Sequence, residues 1–245
     1  MADSPRIYFM NPGRQALDWF YRGRSKERAA ELGWDIWVNQ REEPIERAEW
    51  ADIIADAEAL LTTWGSPKVD DELLAGNDSL QIIGHVGGSV APYIADGVFD
   101  RGVRVCTANT FMARSCAEHC MMLMLMGTRR AHEHIKLGTR SERMVFFKDW
   151  ELRVPQDLVI GIWGFGDIAG WLLSMLLPFE PKEILVASGH LSDEEAAAKG
   201  MRRVEFDALF EQADVVFTLA GMMIASLAGA LTSLVISLAP NAFAM

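Results

Sequence analysis

The stretch LVIGIWGFGDIAG, residues 158–170, decides how the rest of the chain is read. Leu158–Trp163 is a continuous apolar run, as expected of a strand buried on both faces of a parallel sheet. It leads into Gly164-Phe165-Gly166-Asp167-Ile168-Ala169, which fits the GxGxxA form of the dinucleotide fingerprint. Gly164 allows the tight turn out of the strand. Gly166 has no Cβ, so a pyrophosphate can approach the backbone, and Ala169 lets helix and strand pack closely. The helix that follows runs through Leu177 and is stopped by Pro178. Its first N–H groups and positive dipole end face the phosphates. A bare glycine motif is weak; a strand before it and a helix after it give it the required context. The competing reading is a turn kept for packing alone.

Toward the C-terminus, Ile184–Ala187 is the next strand. An acid about 20 residues beyond the glycine turn would bind the ribose hydroxyls of NAD. The sequence instead offers Val186-Ala187-Ser188-Gly189-His190. Ser188 can bond a hydroxyl or a 2′-phosphate, and His190 can add positive charge. The choice tilts toward NADP, unless the preference is simply relaxed. Ser192 and Glu195 have capping-box spacing, and that helix should end at Lys199-Gly200. A short strand near Val204, a helix over Asp207–Gln212 and an apolar strand over Asp214–Leu219 follow.

Toward the N-terminus the same rhythm holds. Strands are expected at Ile7–Met10, Asp35–Val38, Ala59–Thr62, Leu80–Gly84 and Val103–Thr107. Helices are expected at Arg14–Leu32, Val69–Leu74 and Pro92–Phe99, with turns at Gly65-Ser66-Pro67 and Gly87-Gly88-Ser89. Alternation of this kind predicts an α/β fold, parallel sheets covered by helices. Arg114–Arg130 is the longest expected helix. Its middle, Cys120 to Met126, is apolar all round and should be buried in a core, between domains or between subunits. Arg129, Arg130, His132, His134 and Lys136 follow it, where cations favour the negative end of the helix dipole. The charged, irregular Gly138–Lys148 reads as a domain boundary.

The 245 residues carry 34 acids against 23 bases, a net charge of −11, which sets nucleic acid aside as a main partner. Cys106, Cys116 and Cys120 are an odd set without a CxxC, favouring a reducing, cytoplasmic compartment over a disulfide framework. The polar opening Met1–Arg6 does not read as a signal peptide. Val215–Met245 contains no Asp, Glu, Lys, Arg or His. Within it, Val215–Ala239 reads as buried strands with a linker, as a membrane helix, or as altered sequence that folds poorly. Gly221, Gly229, Thr232 and several serines lower its hydrophobicity, and no cationic flank follows Pro240, so membrane insertion is the weaker reading.

Taken together, ALLTTWGSP (59–67), LQIIGHVGGSV (80–90), FDRGVRVCTANTFMARSCAEH (99–119), VIGIWGFGDIAG (159–170), LSDEEAAAKG (191–200) and FEQADVVFTLAG (210–221) resemble the D-isomer-specific 2-hydroxyacid dehydrogenase family in order and spacing. The resemblance implies two Rossmann- or flavodoxin-like lobes with parallel sheets and a cleft between them. The substrate lobe would cover 1–112, an inter-lobe helix 113–136, and the NAD(P)-binding lobe 137–245, incomplete at its C-terminus. Gly87 and Gly88 would offer N–H groups to a substrate carboxylate, with Asn109 and Thr110 near the cleft. Cys116, at the start of the inter-lobe helix, would lie beside the nicotinamide. Gly164, Phe165, Gly166, Asp167 and Ile168 would cradle the pyrophosphate, Ser188 would meet the adenosine ribose, and Leu219, Ala220 and Gly221 would border the cofactor.

The family's substrate-holding Arg and its proton-moving His, backed by an acid, lie beyond the fourth strand of the cofactor lobe. No candidate for any of them stands there, and Leu234–Leu238 resembles the strand that should present the Arg. The expectation is a chain truncated or altered in frame within its catalytic half. Two local alternatives are weak. His85 either faces the cleft or is a structural histidine. Cys116, His119 and Cys120, at i, i+3, i+4, lack a fourth ligand, so no metal is assigned. Three function classes remain: an NAD(P)-dependent dehydrogenase of a small 2-hydroxy or 2-keto acid, a catalytically inactive dinucleotide-binding relative, and a membrane-tethered interaction fragment. The apolar inter-lobe helix suits a homodimer in each.

Overall fold

The computed structural model describes residues 4–138, 152–220 and 236–238. The chain divides into two compact units, Met1–Met112 and Ala113–Met245.

The first unit holds strands β1 (Ile7–Phe9), β2 (Ile36–Val38), β3 (Ala59–Thr62), β4 (Ile82–His85) and β5 (Arg104–Thr107). They form one parallel sheet in the order β2-β1-β3-β4-β5, the flavodoxin-like order. Helices α1 (Arg14–Phe20), α2 (Arg24–Glu31), α3 (Arg47–Ile53) and α4 (Asp96–Asp100) connect the strands. The core gathers Met10, Trp50, Ile54, Leu60, Leu74, Ile83 and Val98.

All five expected strands of this unit form, with ends shifted by a residue or two; the helices differ more. The segment expected as one helix over Arg14–Leu32 is two, broken at Gly23, whose φ is +49°. Val69–Leu74 is no helix. Val69 pairs with Ile94 in an isolated bridge, its N–H donating to the Tyr93 carbonyl at 2.8 Å and its carbonyl accepting from the Ala95 N–H at 2.9 Å, which holds the start of the segment extended. That bridge also holds Ala95, so the helix expected from Pro92 begins only at Asp96. Helix α3 was not expected, although buried Trp50, Ile54 and Ala57 carry helical spacing.

The second unit contains most of α5 (Asn109–Thr128), α6 (Ala131–Gly138), β6 (Val159–Trp163), α7 (Asp167–Leu176), β7 (Glu183–Ala187), α8 (Asp193–Ala198), β8 (Arg202–Arg203), α9 (Phe206–Gln212), β9 (Val215–Thr218) and β10 (Ile236–Leu238). Its sheet runs β10-β9-β6-β7-β8. Counted from β6, the strands stand in the order 5-4-1-2-3, the Rossmann arrangement. Strands β6, β7, β8 and β9 are parallel, as expected. The strand expected at Leu234–Leu238 is present as β10, but it pairs antiparallel with β9, so this sheet is mixed rather than wholly parallel. An antiparallel edge strand on a parallel sheet is an accepted variant.

Alternation along the strands serves two faces. Ile160, Ile162, Ile184, Val186, Val215 and Phe217 pack against α5 and α7. Leu185, Ala187 and Val216 pack with Leu209 and Ala213, on and just after α9. Helix α5 buries one stripe, Ala113, Ala117, Cys120, Met121, Met124 and Thr128. It is not buried all round: Met122 and Met126 are 43% and 36% exposed. It ends at Thr128, and Arg130 has φ +49°.

The Gly138–Lys148 boundary lies, beyond Gly138, outside the described residues. Among the described residues no helix is long and apolar enough to cross a membrane. Within the uncharged run, β9 and β10 pair with each other, which is incompatible with one helix from 215 to 239.

Candidate dinucleotide and carboxylate sites

In the second unit three strand ends converge. The Gly164 N–H donates to the Ala187 carbonyl at the end of β7 (2.8 Å), and the Leu219 N–H donates to the Trp163 carbonyl at the end of β6 (2.7 Å). This is where the strand order reverses, between β6 and β9, the place at which open α/β sheets bind ligands. Gly164 has φ +85°, and a Cβ there would lie 2.5 Å from the Ala220 Cα and 2.6 Å from its nitrogen. Both the conformation and the close approach require glycine. Gly166 is the N-cap of α7 and donates no side-chain cap. A Cβ on Gly166 would meet nothing within 4 Å. Phe165, Gly166, Asp167, Gly170, Trp171 and Ser174 line an open depression of about 580 Å³ beside this turn.

These features fit a dinucleotide. The first turn of α7 has no capping side chain, and the space above Gly166 is open to a phosphate. Asp167 is the exception in kind: its carboxylate sits in the first turn of the same helix, favourable to the dipole but repulsive to a phosphate there.

Ser188 follows directly on β7. Its hydroxyl accepts from the His190 N–H at 3.3 Å. The sequence reading missed Arg203, on β8, whose Nε donates to the Ser188 carbonyl at 3.5 Å and whose Nη1 lies 3.2 Å from the Asp193 carboxylate. Its only sequence signal was a cation in the strand after β7. The expected sites at Gly164, Phe165, Gly166, Asp167, Ile168, Ser188, Leu219 and Ala220 thus gather at neighbouring strand ends of one sheet. Gly221 lies outside the described residues. Cys116 is half-buried and sits about two turns into α5 rather than at its start. One turn on, burial and the neighbouring Cys116 push the Cys120 thiol up to about 12.

In the first unit, Gly87 and Gly88 follow β4. The Thr107 hydroxyl lies 3.0 and 2.8 Å from their carbonyl oxygens and accepts from the Asn109 N–H at 3.2 Å. The Thr63 hydroxyl donates to the Val86 carbonyl at 3.0 Å. With the carbonyls held, the Gly87 and Gly88 N–H groups have no acceptor among the described residues. Two adjacent unpaired donors suit a carboxylate.

His85 does not open onto a site. It is 2% exposed, its ring stacks on Tyr93 at 4.8 Å, and its Nδ1 lies 2.9 Å from the Thr62 hydroxyl. Its Nε2 is buried without a partner, directly beneath Gly87, where a Cβ would collide with it. Burial lowers its pKa and holds the ring neutral. Among the described residues no group of three or more His, Cys, Asp or Glu could hold a metal; on α5, His119 is exposed while Cys120 is buried.

Comparison with known proteins bears on the same segments. Residues 121–223 match the model of the D-isomer specific 2-hydroxyacid dehydrogenase NAD binding domain. The chain is 26% identical over 200 residues to a D-3-phosphoglycerate dehydrogenase of Mycobacterium leprae, covering 78% of this chain and 35% of that protein. It is 30% identical over 231 residues to a formate dehydrogenase of Candida boidinii, covering 88% and 58%. The chain thus spans between about a third and three fifths of these relatives. Among solved structures, a phosphoglycerate oxidoreductase from Rhizobium etli matches with a TM-score of 0.68 at 21% identity, over 89% of this chain and 66% of that one. A D-lactate dehydrogenase from Escherichia coli matches with a TM-score of 0.62 at 15% identity, over 90% and 66%. These structural likenesses speak to the fold. The chain is thus similar to the D-isomer specific 2-hydroxyacid dehydrogenase family, and the match to that family's NAD binding domain falls in the second unit.

Proposed function

We propose that this protein is an NAD(P)-dependent oxidoreductase of a small 2-hydroxy or 2-keto acid. The observation that carries the reading is the Gly164–Gly166 turn at the strand-order switch, with open space above Gly166 and an uncapped helix behind it. The first unit, 1–112, would take the substrate and the second the dinucleotide, with α5 leading from one to the other. A bound nicotinamide would supply hydride exchange with the substrate's C2. The chain's own residues bind and orient. Gly87 and Gly88 N–H groups hold the carboxylate, the α7 N-terminus holds the pyrophosphate, and Ser188, with no acid beside it, favours NADP over NAD. His85, sealed under Gly87, is not placed to move the hydroxyl proton. The three free cysteines suit the cytoplasm.

A second reading has its own support. Val215–Met245 carries no Arg, Lys, His, Asp or Glu, the groups by which the family holds a carboxylate and moves a proton. A relative that binds dinucleotide without turning it over satisfies that observation. Titration of the purified protein with NADPH and NADH, followed by nicotinamide fluorescence, tests both. Saturable binding that is lost in Gly166→Leu supports the dinucleotide site. Keto-acid-dependent oxidation of the bound coenzyme then separates the enzyme from the inactive relative. No binding at millimolar coenzyme overturns both.

A further inference from the structure

We propose that Arg203 is the residue that reads the 2′-substituent of the adenosine ribose, selecting a coenzyme with a 2′-phosphate. The inference rests on the dinucleotide reading above and deepens it.

The strand that should end in a ribose-binding acid, β7, ends in Ala187-Ser188-Gly189-His190. The carboxylate that would bind two ribose hydroxyls, and repel a phosphate, is absent. What stands there instead is the guanidinium of Arg203, brought from the neighbouring strand. Strand β8 pairs parallel to β7 with Val186 opposite Arg203. The Arg203 Nε donates to the Ser188 carbonyl at 3.5 Å, which ties the guanidinium to the backbone of the residue that carries the hydroxyl. The Ser188 Oγ already accepts from the His190 N–H, so its own proton remains to donate. A donor hydroxyl beside a cation is a phosphate-binding pair.

The adjacent Arg202 plays no part. Side chains alternate along a strand, and Arg202 is turned to the Glu183 carboxylate (2.7 Å) and the Gln212 amide oxygen (2.9 Å). Among the described residues Arg203 has one acidic partner, Asp193, whose side chain is 77% exposed and which a phosphate would displace or share. Arg203 itself is only one-third exposed, so its charge is less screened than that of a surface arginine. In a chain of net charge −11, a local cation at this point is what admits a further dianion.

The test is equilibrium binding, read without turnover. The unmodified protein should bind NADPH more tightly than NADH, and adenosine 2′,5′-bisphosphate should displace NADPH better than 5′-AMP does. Arg203→Gln should lower the NADPH:NADH affinity ratio about tenfold, the size of one charge-assisted contact. Arg203→Lys should keep part of that ratio, and Asp193→Asn should raise it. Arg202→Gln, one residue away with the same change of charge, should leave it unchanged. An unchanged ratio in Arg203→Gln with both coenzymes still bound overturns the proposal. So does an equal fall in Arg202→Gln, or equal displacement by the two adenosine probes, which requires no variant to fold. Failure of the unmodified protein to bind either coenzyme is a different result: it removes the dinucleotide reading and this inference with it.

Discussion

Gly164 shows how one residue type can be required twice over. Its φ of +85° lies in the left-handed region, and its missing side chain leaves room for Ala220 at the end of the β9 segment. Gly164→Ala should therefore lose about 2–5 kcal/mol, combining backbone strain with overpacking, measured as a shift in chemical denaturation. Gly166→Leu, where nothing stands within 4 Å, should lose coenzyme and little stability. The thiols divide as sharply. Cys106 is exposed, whereas Cys120 is buried with its pKa pushed up to about 12. Only the thiolate is reactive, so iodoacetamide at pH 8 should modify Cys106 in the native protein and Cys120 only after unfolding, as peptide mapping would show. Labelling of native Cys120 would contradict its burial in the core.

At the scale of elements, β4 and its glycine turn carry a pH dependence. Burial depresses the His85 pKa, so the unfolded chain takes up the proton more readily than the folded one. Stability from this group is complete above the unfolded histidine value, about 6.5. It falls as the pH drops below that value, until the folded group also titrates. Denaturation midpoints should decline from pH 7 toward pH 5, and His85→Phe, which cannot titrate, should flatten that part of the curve. The sequence showed the strand and the glycine turn but not this burial. It left His85 open between a cleft residue and a structural one. The choice was made by Tyr93 and Thr62, which reach the ring from other segments. By contrast, the capping box of α8 was legible at once. Ser192 and Glu195 are three residues apart, and both reciprocal bonds are present, at 3.2 and 2.8 Å.

At the scale of the whole molecule, α5 presents Met122 and Met126 to solvent one turn apart. Exposed apolar side chains on one helix face favour self-association, and on this ground we propose a homodimer. Sedimentation velocity should give a dimer at micromolar concentration, and Met122→Glu with Met126→Glu should give a monomer with an unchanged circular dichroism spectrum. A monomeric parent protein would end that proposal. The same helix shows why an apolar run is a poor guide to burial. Its middle is apolar on every side, yet only one stripe is buried, with Ala117, Cys120, Met121 and Met124 joining the core of the sheet.

The sequence by itself determined what neighbours along the chain can encode. It marked most strands by their apolar runs, the glycine turn before α7, the α8 cap and the family resemblance carried by six segments. Tertiary structure alone decided what lies beside what. Strand order places Leu219 and Ala220 against Gly164. Pairing of β8 with β7 brings Arg203 to Ser188. The antiparallel pairing of β10 with β9 makes Ile236–Leu238 a sheet edge, and the Val69–Ile94 bridge cancels a helix. Each of these depends on contacts between residues far apart in the chain, where burial and hydrogen bonding across elements override local preference.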